Sequence, residues 1–280
     1  MPSQTTQFHQ AETAQVSPDA EAPVFRADSD HAIHRQLSQL AHLVSSHPVL
    51  IKLGSGSISA MAVSWAYGRR KSITASFMPM LIRAGKLAIA SGRTRLAEAI
   101  HANLSDEQGL DPATGIPTGA GSHEDWADQF MNALCALDPM FKTEHRDTAL
   151  ARWDPYPTMA TDSLTTLCGM LMATEKCIPL EYAAFLRAFI CAYPEFTKPE
   201  QQASLHLFVD HIEHDERRHL PDLIDGFLGC APGTRGCKSA IPPSAMESKE
   251  LLEGMNRVIS RRLDFYNHLS DEAMERGFWS

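Results

Sequence analysis

The chain has 280 residues, 44% of them hydrophobic, enough to bury a sizeable core in one large domain or two small ones. A formal net charge of −9 leaves no basic footprint for a nucleic acid, and no run reaches the roughly 18 consecutive apolar residues of a membrane helix. Six cysteines (135, 168, 177, 191, 230 and 237) show neither a CxxC pair nor zinc spacing.

The opening MPSQTTQFHQAETAQVSPDAEAP is polar and has neither a basic n-region nor an apolar h-region, so residues 1–29 read as a mobile tail rather than a secretory signal. With no export signal, the reducing cytoplasm is the expected compartment. Cys168, Cys177 and Cys191 then read as plain core thiols. From residue 30 onward apolar residues recur at three-and-four spacing, and period-two alternation is scarce. The pattern predicts helices over 30–45, 57–68, 72–91, 93–108, 122–137, 161–176, 179–193, 198–228 and 245–270. Pro48, Gly54/Gly56, Gly92, LDPATGIPTGAG, Pro179 and CAPGTRGCKSAIPP punctuate them. Ser122 and Ser244 stand where N-caps belong. No composition shift divides 30–280, so the expected fold is all-α in a single domain. KLGSGSIS (52–59) lacks the GKS/GKT ending and a preceding strand, and reads as a helix-to-helix turn rather than a phosphate loop.

Several acids and histidines stand on helices with apolar faces. RLAEAIHANLSDEQG (95–109) turns Leu96, Ile100 and Leu104 inward and ends in Asp106 and Glu107, and His123 opens the next helix across a Gly/Pro-rich loop. Glu175 is the single glutamate ending the apolar run TTLCGMLMATEK, just before Pro179. In HIEHDERRHL (211–220), taking 100° per residue from His211, Asp215 lies at about 40°, Arg218 at about −20° and His219 at about 80°. His211 and Asp215 therefore share a face with Leu207 and Phe208. The bland alternative is a solvated face on which Asp215, Arg218 and His219 satisfy one another. A buried Asp and His must instead be paired, hydrogen-bonded or bound to metal. Carboxylate oxygens with imidazole nitrogens suit iron or manganese better than a thiolate-rich zinc site. Glu98 and His101 form a lone ExxH, which reads as a surface pair, since ferritin-like bundles need two such motifs.

Four stretches in order, SHPVLIKLGSGSISAMAVSWAYG (46–68), NLSDEQG followed by a histidine (103–123), MATEKCIPLEY (172–182) and HIEHDERRH (211–219), resemble the haem-oxygenase-like di-iron oxidases and oxygenases. These are relatives of the metal-free thiaminase-type (TenA) and pyrroloquinoline-quinone-synthase-type (PqqC) bundles. The resemblance implies a haem-oxygenase-like helical bundle. It implies Glu107 and His123 as one carboxylate–imidazole pair, Glu175 as a second carboxylate, and His211 and Asp215 as the first members of an H-x3-D-x2-H helix. The third member falls at Arg218, with a histidine one place later. Either a π-type bulge between 215 and 219 brings His219 onto the stripe, or Arg218 takes the slot and grips a substrate carboxylate. The resemblance further implies two Fe(II) per chain, the second of them labile, and O2 as co-substrate. The substrate would be a small amino-acid-like or fatty-acid-like molecule, with an external electron donor and a homodimeric assembly. The rivals are a metal-free enzyme on the same bundle and a non-enzymatic iron-storage or partner-binding protein.

Overall fold

The computed structural model describes residues 29–70, 77–138, 162–234 and 240–279, with backbone alone at 29 and 214–216. The expected tail, the first turn of the 72–91 helix, Cys237 and the side chain of Asp215 lie outside the described residues. The described chain is all-α: α1 Ser29–Ser45, α2 Pro48–Ser55, α3 Ala60–Arg70, α4 Phe77–Ala90, α5 Thr94–Glu107, α6 His123–Leu137 and α7 Leu164–Ala192. Short helical turns over 194–205 then lead into α8 His206–Asp210, a π-helix His211–His219, α9 Leu220–Phe227 and α10 Ala245–Glu275. Among the described residues no helix is long and apolar enough to cross a membrane.

α7 is the axis of the bundle. From Thr165 to Tyr182 nearly every side chain is buried, and α1, α2, α3, α4, α10 and the π-helix all pack on it. Only its C-terminal half turns a narrow face, Ala183, Arg187 and Cys191, to water. Pro179 was expected to divide this stretch in two, but the helix runs through it. A proline there has no N–H for the carbonyl four residues back, and that carbonyl belongs to Glu175. α10 is the largest neighbour of α7, and the two backbones touch through glycines. A Cβ on Gly169 would run into the Leu251 carbonyl oxygen, and one on Gly254 into that of Thr166.

The cap expectations hold. Ser122 and Ser244 each close a capping box, with Asp125 and Glu247. Pro48 does not break a helix but opens one, at a first-turn position behind the His47 cap, where its missing N–H costs nothing. Of the 52–59 stretch, only 56–59 is the expected turn between helices, opened by Gly56 at φ 69°; 52–55 are the end of α2, a short helix the sequence pattern does not predict. Cys168 and Cys177 are buried, and burial pushes both thiols up to about 12. Cys191, expected in the core, is exposed, because it lies on the outward stripe with Ala183 and Arg187 while Phe189 and Tyr193 beside it are buried.

Candidate metal centre

α5, α6, α7 and the π-helix bring the predicted acids and histidines to one region of the core. The Gly/Pro-rich loop, fifteen residues from Gln108 to Ser122, returns His123 to the end of α5. Gly109 and Gly121, both at positive φ, meet back to back, and a Cβ on Gly109 would run into the Gly121 carbonyl. Thr118 N–H donates to the Gly109 carbonyl at 2.9 Å, and the Trp126 indole donates to the Ala120 carbonyl at 2.8 Å. Within the loop, Asp111 accepts from the backbone of Ala113 and Thr114. The loop is thus a closed ring whose two ends are Glu107 and His123.

The second decisive element is the π-helix. The wider turn over 211–219 buries His219 at 3% exposure, while the Arg218 side chain is half exposed and lies 3.7 Å from Asp106. The bulge considered for this stretch is therefore present in the backbone. Pro221 follows in the first turn of α9, where a proline needs no donor. His211 is buried as well, its ring stacked on Tyr182 at 4.7 Å and edge-on to His123 at 4.5 Å.

Two imidazoles share one arrangement. His123 Nδ1 lies 2.8 Å from Glu107 Oε2, and its Nε2 lies 3.2 Å from Asp210 Oδ2. His219 Nδ1 faces Glu175 Oε2 at 3.7 Å, and its Nε2 lies 2.8 Å from Asp106 Oδ2. Each ring thus has one nitrogen held by an aspartate and the other turned toward a glutamate. Glu175, buried at 1% exposure, is itself fixed by the Asn103 side-chain amide, which donates to Oε1 at 2.7 Å. The hydrogen bond from His219 keeps the Asp106 carboxyl below its usual range, helped by the charges of His219 and Arg218 against partial burial. Asp106 and Glu107 are consecutive, so the two arrangements sit side by side. Among the described residues, no three His, Cys, Asp or Glu side chains gather into a complete metal site.

Two comparisons with solved structures give the fold and nothing finer. Two crystal structures of a CADD-like protein of unknown function from Nostoc punctiforme align with the chain at TM-scores of 0.61 and 0.59. Each alignment is 14% identical; one covers 87% of this chain and 99% of that protein, the other 88% and 97%. No sequence-family profile and no curated protein matches the chain.

Glu107, His123 and His211 open onto a cavity of about 170 Å³. Arg70, Tyr182 and Phe77 also line it. Tyr67, Phe77, Met78 and Tyr182, all of which read as ordinary core from the sequence, line this cavity; Trp65 and Trp126 do not. Arg218, weighed as a substrate contact, does not line it, and the arginine that does is Arg70. Glu98 and His101 are both exposed, but Glu98 pairs with Arg95 at 2.8 Å rather than with His101. Glu213 is exposed, as its position on the wheel implied.

Sequence reasoning left out Asn103, Asp210 and Arg70, and read Asp106 only as a helix-end acid. Asp210 adjoins His211, but on an α-helical wheel it falls 100° off the His211 stripe and reads as solvated.

Proposed function

We propose that the chain is a haem-oxygenase-like, non-haem di-iron protein, an O2-dependent oxidase or oxygenase acting on a small metabolite. The twin Asp–His–Glu arrangement carries this reading. A histidine that ligates a metal gives its other ring N–H to a carboxylate or carbonyl, which fixes the tautomer and aims the lone pair at the ion. Asp210 and Asp106 stand in that role for His123 and His219, with Glu107 and Glu175 beside the opposite nitrogens. His211 and Asp215 would complete a six-ligand set. Carboxylate with imidazole is the donor chemistry that iron or manganese prefers.

When bound, iron would supply the reduction of dioxygen and the oxidation of substrate; the chain supplies everything else. Asn103 holds Glu175 in one orientation. Asp106 and Asp210 would hold the two imidazoles by their Nε2 nitrogens, each fixing the ring orientation. Tyr182 fixes the plane of His211, and the aromatic wall of the cavity limits water. An external electron donor and a homodimeric assembly belong to the same proposal.

One observation favours a second reading. At 2.8 Å both the Glu107–His123 and the Asp106–His219 contacts are self-contained, as a metal-free proton relay would have them. The two readings part in one experiment. Protein loaded anaerobically with Fe(II) and freed of excess should hold two irons per chain and consume O2 when aerated. His219→Ala should lower the iron count and abolish O2 uptake, while Arg218→Ala should leave both unchanged. A chain that takes up no iron supports the metal-free enzyme, and iron bound without O2 uptake supports storage.

A further inference from the structure

Arg70 is 2% exposed at the end of α3, yet it lines the cavity. Its NH2 group donates to Glu181 Oε2 at 2.9 Å, and Arg262 NH1 donates to that same oxygen. One buried carboxylate therefore serves two buried guanidiniums. The Nε–H of Arg70 has no hydrogen-bond partner among the described residues. A buried cation that is only half neutralised is costly, and a guanidinium presents its donors as a planar fork matched to a carboxylate.

The position of this fork matters as much as its charge. The Arg70 guanidinium lies 4.2 Å over the Tyr182 ring, and Tyr182 stacks on His211 at 4.7 Å. One tyrosine thus separates the cation from the imidazole side of the cavity. Much of the remaining lining is apolar, with Phe77, Met78, Ile178 and Leu207. One cavity lining therefore combines a cation, a carboxylate–imidazole set and an apolar wall.

We propose that Arg70 anchors the carboxylate of a small carboxylic acid whose apolar body points toward Glu107, His123 and His211. As a substrate anchor Arg70 rests on the oxygenase reading; as a carboxylate site it does not, so the test uses the full-length chain without metal. Butyrate and its neutral isostere butyramide are titrated by calorimetry. The Nε–H resonances of ¹⁵N-arginine-labelled protein are followed in parallel, with Arg70→Lys assigning the signal. Butyrate is expected to bind roughly 10- to 100-fold more tightly than butyramide, the range of one charge-assisted hydrogen bond. The Arg70 Nε–H signal should shift with butyrate alone, and Arg70→Gln, though it gives up the ion pair to Glu181 and melts lower, should lose the preference.

Butyrate that fails to bind, or that binds no better than butyramide, overturns the assignment, as does an unmoved Nε–H signal. Should Arg70→Gln not fold, the wild-type pair and the resonance decide alone. A chain that prefers butyrate but takes up no iron sinks the oxygenase and leaves this site standing. Two irons with no preference does the reverse.

Discussion

His123 and His219 come from different elements, yet each has an aspartate on Nε2 and a glutamate near Nδ1. Carboxylates face both nitrogens of each ring, so the structure alone leaves the tautomer to whatever lies between Nδ1 and the glutamate. A metal held there would take the Nδ1 lone pair and put the proton on Nε2, with the aspartate as its acceptor. Asp210→Asn tests this directly: the amide keeps the shape and loses the charge. The expected result is Fe(II) affinity lower by about 10- to 100-fold, read by competition with a chromophoric chelator, with the melting temperature nearly unchanged. Unchanged affinity would reduce Asp210 to a packing role. Of the six ligands expected from the sequence, the structure buries His123, Glu175, His211 and His219 and leaves Glu107 partly exposed, while the side chain of Asp215 is not described. The residues that orient them were not recognised as such. Sequence patterns mark what faces inward on a regular helix, and Asp106 and Asp210 each sit one position from a ligand, where a regular helix would turn them away.

At the scale of elements, the centre depends on two features outside regular α-helix. The π-helix brings in His219, and the Gly109–Gly121 contact closes the loop between α5 and α6. The π-turn was open to sequence reasoning because the histidine was off by one. The closed loop was not, since nothing in LDPATGIPTGAG states that its two ends touch. The continuous α7 was not either, because tertiary packing on every side of it overrides the local signal of Pro179. Gly109 is where loop closure can be tested. At φ 67° and against the Gly121 carbonyl, an alanine meets both backbone strain and collision. Gly109→Ala should lower stability by about 1–3 kcal/mol in a thermal melt. It should also weaken iron binding at least as much as Asp210→Asn, because Glu107 and His123 are the ends of the ring. Helix content by circular dichroism should not change. A variant that loses stability and keeps full iron affinity would show that the loop is not what holds this pair.

For the molecule as a whole, the question is what keeps a cavity open in the middle of a bundle. Arg70 on α3, Glu181 on α7 and Arg262 on α10 meet in full burial and fix three helices at one point beside the cavity. Burial alone would raise the Glu181 carboxyl, but Arg262 and then Arg70 outweigh it and hold it below its ordinary value. A carboxyl depressed in the folded state contributes stability that is fully present above its ordinary range and is lost as the pH falls through its folded-state value. Glu181→Gln removes that carboxylate and leaves two arginines facing each other, at a cost of about 3–5 kcal/mol near neutral pH. The gap in melting temperature between wild type and Glu181→Gln should therefore be widest at neutral pH and should narrow as the solution is acidified below the ordinary carboxylate range. Other depressed carboxyls, such as Asp106, titrate in both proteins and cancel in the difference, so the narrowing reports Glu181 alone. A gap that stays constant into acid would mean that Glu181 contributes shape rather than charge. The framework around the cavity would then be held by packing, and the positive charge of Arg70 would need another partner.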